Sequence, residues 1–563
     1  MHLYLRSPNV ALPLYGLSLG FLVSPSCTLL LAFSPIVRHG LVLELGRAVV
    51  LLLAIMLLSR PSSNWAKFAI PAVLIVATIW YLLQSPNQIP IPGNHFSNDP
   101  LEMQSGSPDA PPSESSKPPV VTTELLKQEF IQDVVNNEIG GPVNLEPLAE
   151  LCRNADLQPG LIFKCEPVPG GIGNIRNMFL NCFRFAIQAG GKLRCHSQLR
   201  YRLTWCTATG LVVPGGQLRN PKDLYDIHTK KEIPFDTLLD LNYFTESFTK
   251  ACPQIKLYQT DADLPMIITP ATQFNMTPYF VNNNTFRMDS TLIDTPPAEW
   301  RAHFDRWLNE ESGAPTPSAE VPVLVYNTNC LLRWPFDYDS TDFVAQFGRI
   351  LRVREDARRI AGAVLWAMSE KYHMNLDYSN PNDPIPQGKW MGAHLRTAED
   401  ATKAGWPNYA TQEANYIGAA NRTGLNVIFL SAGAPKDVER FSKTAKASNM
   451  KVETKDSLLV GDLFHAEKKA LGKFTWDQKA LVDYEVLMGA SYFAGMFESS
   501  FSWNVALRRH VVVGKGTWLE IGPGKQGLDG LENPKEAFID TYSAVFGPVN
   551  LGIRWQFPTA LFP

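Results

Sequence analysis

The stretch Ala490-Ser-Tyr-Phe-Ala-Gly-Met-Phe-Glu-Ser499-Ser500-Phe501-Ser-Trp-Asn-Val-Ala-Leu-Arg-Arg-His510 reads as a buried strand, a hydroxyl-rich turn and a helix. Tyr492 to Met496 is an apolar run of strand length, Ser499 and Ser500 stand where N-caps belong, and Phe501 to Arg509 has helical composition. A strand feeding a helix through such a turn is the unit from which parallel α/β sheets are built. The turn also aims backbone N–H groups and serine hydroxyls at one place, the positive end of a helix, where an anion binds. Capping serines are common in purely structural turns, so other segments must decide whether this one binds anything.

Outward from that stretch, short apolar runs alternate with helical patterns from about Ala149 onward. The expected strands are Leu211 to Val213, Val321 to Tyr326, Trp390 to Leu395, Asn426 to Leu430, Tyr492 to Met496 and Val511 to Val513. The expected helices include Asn177 to Gln188, Arg354 to Lys371, Thr475 to Met488 and Ser502 to Arg509, with a hinge between two halves near residues 335 to 355. Thr122 to Asn137 carries Leu126, Phe130 and Val134 at helical spacing, which reads as a stem helix, the first element of the globular part or a surface helix.

Three further segments have the chemistry of an anion site. Gly170-Gly-Ile-Gly173-Asn174-Ile-Arg176 precedes an apolar helix, and a glycine-rich turn admits a ligand close to the backbone. A dinucleotide fingerprint fits it poorly, because Arg176 takes the place of the third glycine and Pro167 and Pro169 precede it. In Lys389-Trp-Met-Gly-Ala-His394-Leu-Arg396-Thr-Ala-Glu-Asp400 an alternating strand runs into a polar loop, and His394 and Arg396 leave the same face. A guanidinium there suits a diphosphate, with Asp400 to fix it or the histidine; an ordinary Arg396–Asp400 ion pair is the bland reading. Thr475-Trp-Asp-Gln478 has capping-box spacing and opens a helix whose buried face would be Trp476, Ala480, Tyr484 and Leu487. Asp483 lies one residue off that stripe, where a carboxylate accepts from the N1–H and amino edge of guanine or is merely solvated. Asp261-Ala-Asp263 and Asp337-Tyr-Asp339 are D-x-D triplets able to hold a divalent metal on a nucleotide diphosphate, kept as an alternative.

With 563 residues, 45% of them hydrophobic, the chain can fill two cores, and a formal charge of -3 gives no reason to expect a nucleic-acid partner. Its first 83 residues hold three hydrophobic stretches: Val10 to Val37, Leu41 to Leu58 and Phe68 to Leu83. The first is broken by prolines and the second carries Glu44 and Arg47, whereas the third has no charge, spans roughly 24 Å and ends in Trp80 and Tyr81. Residues 68–83 are therefore read as a membrane anchor. Residues 1–67 are taken as cytosolic, as further spans or as a misplaced start. Arg60 and Lys67 precede the span and no cation follows it until Lys117, which places everything downstream in a secretory lumen. Residues 84–121 follow as a stem, with nine prolines between 84 and 120. A lumenal side agrees with sequons at Asn275, Asn283 and Asn421, and with disulfides among seven cysteines beyond the membrane region, whose odd number leaves one unpaired.

Gly170-Gly-Ile-Gly173-Asn174 with its helix, Gly392-Ala-His394-Leu-Arg396 with Asp400, and Asp483 through Phe501 resemble, in kind and order, the motifs of the GDP-fucose-dependent fucosyltransferase superfamily. That superfamily includes the protein O-fucosyltransferases and the α1,6-fucosyltransferases, and the likeness is to a divergent, fungal-type member. Ile233 to Phe244 resembles the segment the family carries between its first two motifs, so about residues 160 to 515 are covered. The resemblance implies a GT-B-like fold, two Rossmann-like domains facing a cleft, which we place at 122–345 (acceptor side) and 346–563 (GDP-sugar side). It implies inverting, metal-independent transfer of fucose from GDP-fucose to a glycan or protein, in the Golgi or endoplasmic reticulum membrane. By position, Arg396 would neutralise the β-phosphate beside His394, and Asp483 would read guanine. Ser499, Ser500 and Phe501 would hold the diphosphate, Gly173 and Asp400 would line the donor site, and Asn174 would face sugar and acceptor. Ser491 stands where the family often has an acid, and Glu498 precedes the serines, where a carboxylate repels a diphosphate unless it points away. Lys192 to Ala208 interrupts a helix-to-strand connection that the family makes almost directly, and we read it as a retained intron. A non-catalytic binding member and a metal-dependent transferase of another nucleotide sugar are the competing functions.

Overall fold

Two sheets carry the chain. In the first, β1 (Leu161–Cys165), β2 (Thr209–Val212), β3 (Ile255–Tyr258), β4 (Gln273–Met276) and β5 (Val323–Asn327) lie in the order β3-β2-β1-β5-β4, and every neighbouring pair is parallel. In the second, β6 (Met391–Leu395), β7 (Val427–Ala432), β8 (Lys451–Glu453), β9 (Tyr492–Met496), β10 (Glu536–Ile539) and β11 (Ser543–Phe546) lie in the order β8-β7-β6-β9-β11-β10. It is parallel except for the β10–β11 pair. The helices that matter for the site are α1 (Thr123–Asn136), α2 (Ile172–Ala189), α3 (Glu355–Tyr372), α4 (Tyr409–Thr423), α5 (Pro435–Ala447), α6 (Trp476–Met488) and α7 (Ser500–Arg508).

This computed structural model describes residues 122–167, 169–190, 209–220, 223–224, 231–268, 273–277, 296–328, 330–335, 338–380, 385–513, 536–547 and 560–563. Both sheets belong to one compact unit, Ser115–Pro563. The expected anchor at 68–83, the stem, the 192–208 insertion, Asn283 and Asp337 lie outside the described residues. Among the described residues no helix is long and apolar enough to cross a membrane.

The fold follows from buried runs. All five residues of β6 and of β9 are buried, as a central parallel strand covered on both faces requires. Strand β9 spans Tyr492–Met496 as expected, and α3 and α6 fall within a residue of their expected ends. Thr475 and Gln478 form the reciprocal capping box that their spacing announces.

Three expectations need correction. Val511 to Val513 is not a strand: Arg509–Val513 continues α7 as a π-helical turn. The buried Arg509 guanidinium fixes it there, donating to the carbonyls of Met488 (2.6 Å), Ala490 (2.7 Å) and Tyr542 (2.9 Å), while β11 takes the place beside β9. On α1 the buried row is Lys127, Ile131 and Val135, one residue on from Leu126, Phe130 and Val134. That rotation lays α1 on α3 and sends the Lys127 ammonium to the Leu463 carbonyl at 2.6 Å, so the helix is part of the core rather than a free stem. On α6, Trp476 and Ala480 are only half-buried while Asp477, Leu481, Val482 and Asp483 are buried, because the helix is covered by α2, α3, α7 and the second sheet.

Disulfides join Cys152 to Cys252 and Cys165 to Cys182, and Cys330 is a buried free thiol. The second disulfide brackets the glycine-rich turn, tying the end of β1 to the middle of α2.

Candidate active site

Strands β6 and β9 are neighbours, but the chain leaves β6 toward β7 on one side and leaves β9 toward β11 on the other. The crevice beyond their carboxyl ends is a topological switch point, where open parallel sheets bind ligands. His394 lies near the end of β6 with Arg396 just beyond it, and Ser499, Ser500 and Phe501 follow from β9, so the fold brings these two expected motifs together.

Ser499 caps α7, accepting from the Ser502 amide at 3.2 Å. Ser502 in turn joins its hydroxyl to His394 Nδ1 at 2.9 Å and accepts from the Met496 amide at 3.3 Å, while Ser499 Oγ lies 3.5 Å from the same nitrogen. Phe501 packs on the imidazole with ring centroids 4.5 Å apart and meets Tyr484 edge-on at 5.8 Å. The histidine is therefore a buried brace between the two strand ends. Burial, with the positive charges of Arg396 and Arg219, pushes its pKa down to about 3, so it is neutral at physiological pH.

The Arg396 guanidinium donates to Asp400, which shows that the acid serves the arginine rather than the histidine. Its backbone is held by Gln412, which accepts from the Arg396 amide and donates to its carbonyl, both at 2.9 Å, and the Tyr416 hydroxyl donates to the His394 carbonyl at 2.7 Å. Helix α4 thus fixes the loop from which Arg396 extends. Burial lowers the Arg396 pKa, Asp400 opposes that, and Arg219 adds to it. Asp400 takes only an Nη2 hydrogen bond, so other guanidinium donors of Arg396 remain unused by it, as do the first N–H groups of α7, which a helix cannot satisfy internally.

Asp483 is buried. Its Oδ2 accepts from Lys455 Nζ at 2.7 Å and from Ser431 Oγ at 3.1 Å, whereas its Oδ1 has no hydrogen-bond partner. Burial raises its pKa against the pull of Lys455. Ser431 ends β7 and Lys455 follows β8, so this carboxylate also sits at the carboxyl edge of the sheet. An orphaned buried acceptor oxygen costs stability unless a donor arrives.

The first sheet supplies the opposite wall. Gly170 has φ of +125°, and Gly171 is the N-cap of α2 and offers no side-chain cap, so the first N–H groups of α2 are also unsatisfied within the helix. A Cβ on Gly173 would stand 2.6 to 2.8 Å from the Ser500–Phe501 peptide, so two helix N-termini touch, and only glycine permits it. Asn174 turns its amide toward Gly170, whose Cβ would lie 2.8 Å from Nδ2. Arg176 points away, donating to the carbonyls of Gly348, Phe562 and Pro563.

Arg219, Asp477, Lys455, Ser431 and Ser502 were not among the expected site residues. Arg219 donates through Nε and Nη2 to Asp477 Oδ1 at 2.9 and 2.7 Å, linking the two halves. Ser502 and Asp477 lie inside quoted stretches; Arg219, Lys455 and Ser431 are isolated polar residues whose meaning depends on their neighbours in space.

Glu498 is buried with its carboxylate near Gly547 and Tyr416, whose pKa is raised by burial and further by the Glu498 charge. Ser491 accepts from the amides of Lys389 (2.9 Å) and Trp390 (3.3 Å), a bracket at the start of β6. Asp261 pairs with Lys164, Asp263 caps Thr260 and Asp339 binds Arg184, so the described carboxylates of the D-x-D triplets are engaged elsewhere. Asn275 and Asn421 are exposed. Two sizeable cavities lie outside this constellation: one of about 510 Å³ lined by Glu138, Tyr243 and Arg352, and one of about 570 Å³ against α4.

The family "GDP-fucose protein O-fucosyltransferase" matches residues 161–512. Similar solved structures include POFUT1 in complex with GDP (14% identity, TM-score 0.38, 70% of this chain and 100% of that one). They also include POFUT1 with GDP-fucose (15% identity, TM-score 0.39, 69% and 98%). A third is an Arabidopsis thaliana FUT1 variant with GDP (11% identity, TM-score 0.30, 68% and 76%). No curated protein sequence matches. Because the match spans more than half of its residues, the chain belongs to the GDP-fucose protein O-fucosyltransferase family.

Proposed function

We propose that this protein transfers fucose from GDP-fucose to a hydroxyl of a glycan or glycoprotein in the lumen of the secretory pathway, inverting the anomeric carbon without a metal. The acceptor hydroxyl oxygen bonds to C1 of fucose and gives up its proton to solvent or to the departing phosphate, the C1–O bond to the β-phosphate breaks, and GDP departs with the electron pair. The residues at the switch point suit that charge flow. Arg396 and the α7 N-terminus meet the leaving diphosphate, and they are preorganised by Asp400, Gln412 and the His394–Ser502 bond. Neutral His394 can hydrogen-bond there without adding a further buried charge.

The observation that carries the guanine assignment is the unpartnered Oδ1 of buried Asp483, an acceptor awaiting a donor such as guanine N1–H or its amino group. Two disulfides favour an oxidising compartment. A lumenal domain behind the 68–83 anchor fits them, as do accessible sequons at Asn275 and Asn421.

A thermal-shift panel on the full chain tests the donor class. GDP should raise the melting temperature well above UDP, ADP or GMP, with EDTA making no difference. Equal stabilisation by UDP, or a shift that requires manganese, would overturn the reading. Selective GDP binding with no turnover of GDP-fucose in the presence of glycoprotein acceptors would favour the non-catalytic alternative.

A further inference from the structure

The donor wall described so far belongs to the second sheet, yet one cation from the first half reaches the same corner. We infer that Arg219 contacts the donor diphosphate across the cleft from Arg396, and that Asp477 is its positioning residue. This rests on the nucleotide-sugar reading above and extends it to the N-terminal half.

Arg219 lies beyond β2, in the segment that leaves the carboxyl end of the first sheet. Its Nε and Nη2 both bind one oxygen of Asp477, while its amide donates to the other at 3.4 Å, so side chain and backbone are fixed by a single fully buried carboxylate. Nη1 makes no hydrogen bond among the described residues. The guanidinium lies flat over the N-cap of α2: a Cβ on Gly171 would stand 3.4 to 3.5 Å from Nη2, Cζ and Nη1. It therefore covers the turn whose helix touches the Ser500–Phe501 peptide through Gly173. Its charge is felt at both His394 and Arg396, and that of Asp477 at Arg396. Two guanidinium groups thus lie near the uncapped start of α2 and the Ser499-capped start of α7, each held by one carboxylate that leaves other donors available. A diphosphate has enough oxygens to take both.

The position of Asp477 adds a consequence. It occupies the first turn of α6, the helix that carries Asp483, so the Arg219 bridge attaches the N-terminal half to the element that would read the base. Base binding and diphosphate binding would then favour one closed arrangement of the halves.

The alternative is an ion pair that only joins the two halves, and it makes different predictions. Calorimetry on the full chain would compare GDP, GMP and guanosine for the wild type, Arg219→Gln and the double variant Arg219→Gln/Asp477→Asn. Arg219→Gln should weaken GDP by about 10- to 100-fold, GMP by less and guanosine not at all. The double variant removes the unpaired buried carboxylate and should regain the melting temperature, but not the GDP affinity. GDP affinity within twofold of wild type in Arg219→Gln, or its recovery in the double variant, would overturn the inference and leave the donor reading intact. A wild-type chain without GDP affinity would overturn both.

Discussion

The two walls of the crevice solve one problem by different means. Each places a helix N-terminus after a parallel strand, α2 beyond β1 and α7 beyond β9. The second wall dresses its helix with side chains, Ser499, Ser502, His394 and Arg396, each held by a partner within a few residues of a strand end. The first wall has almost bare backbone, glycines at 170, 171 and 173, stiffened by the Cys165–Cys182 disulfide and given its cation by the distant Arg219. The difference separates a wall specified by local sequence from one specified by close approach and long-range pairing. Bare backbone is what allows α2 to touch the Ser500–Phe501 peptide, since any Cβ at Gly173 would collide with it.

Changes on each side should break this contrast in order of size. Arg396→Ala removes the cation of the dressed wall and should lower transfer by two to three orders of magnitude, about 2.7 to 4 kcal/mol in the transition state, with the melting temperature nearly kept. Turnover of GDP-fucose measured alongside the melt checks it, and unchanged turnover would end the role given to Arg396. Replacing Cys165 and Cys182 together with serine should cost the bare wall about 3 kcal/mol of stability, the value for a loop of this length. That loss is readable by denaturant titration against the same pair at Cys152 and Cys252, which lies away from the turn.

Gly173→Ala sharpens the comparison. It should destabilise by about 1 to 3 kcal/mol and weaken GDP binding, because the Ser500–Phe501 peptide must retreat. Gly418→Ala, exposed in α4 with nothing within 4 Å of its Cβ position, should instead be neutral or slightly stabilising. Equal behaviour of the two alanines would mean that the walls do not touch.

The smallest effect concerns pH. The His394 pKa falls from 6.5 to about 3 on folding, so between those values the unfolded chain binds more protons than the folded one. Its contribution to stability is complete above pH 6.5 and is lost as pH falls below it, by at most about 1.4 kcal/mol per pH unit. Stability measured from pH 7.5 to 5 should fall less steeply in His394→Gln than in the wild type.

Periodicity and caps made the dressed wall legible: β9, α6 with its capping box, and β6 with His394 near its end stand where local patterns place them. The bare wall was harder to read. Its glycine-rich turn was visible, but β1 and β3 were not, since five- and four-residue runs broken by lysine look like loop. On α1 the apolar spacing pointed one residue away from the true buried row, because Lys127 spans the core to reach a carbonyl and a packed α3 overrides the stripe. Val511 to Val513 failed as a strand for a related reason: three β-branched residues cannot outweigh the buried Arg509 that anchors the preceding turn.

By itself the sequence determined the class of architecture, the family and the four short motifs, because strand length, capping chemistry and glycine placement are local properties of the chain. Only the tertiary structure decided which residues share a site. Pairing β6 beside β9 is what joins His394 to Ser502, the approach of α2 to α7 is what gives Gly173 its meaning, and the meeting of a post-β2 loop with the first turn of α6 is what turns Arg219 and Asp477 into a pair. Electrostatics follow the same division. A residue's charge is written in its identity, but what that charge does depends on burial and on the partners folding brings within a few ångströms.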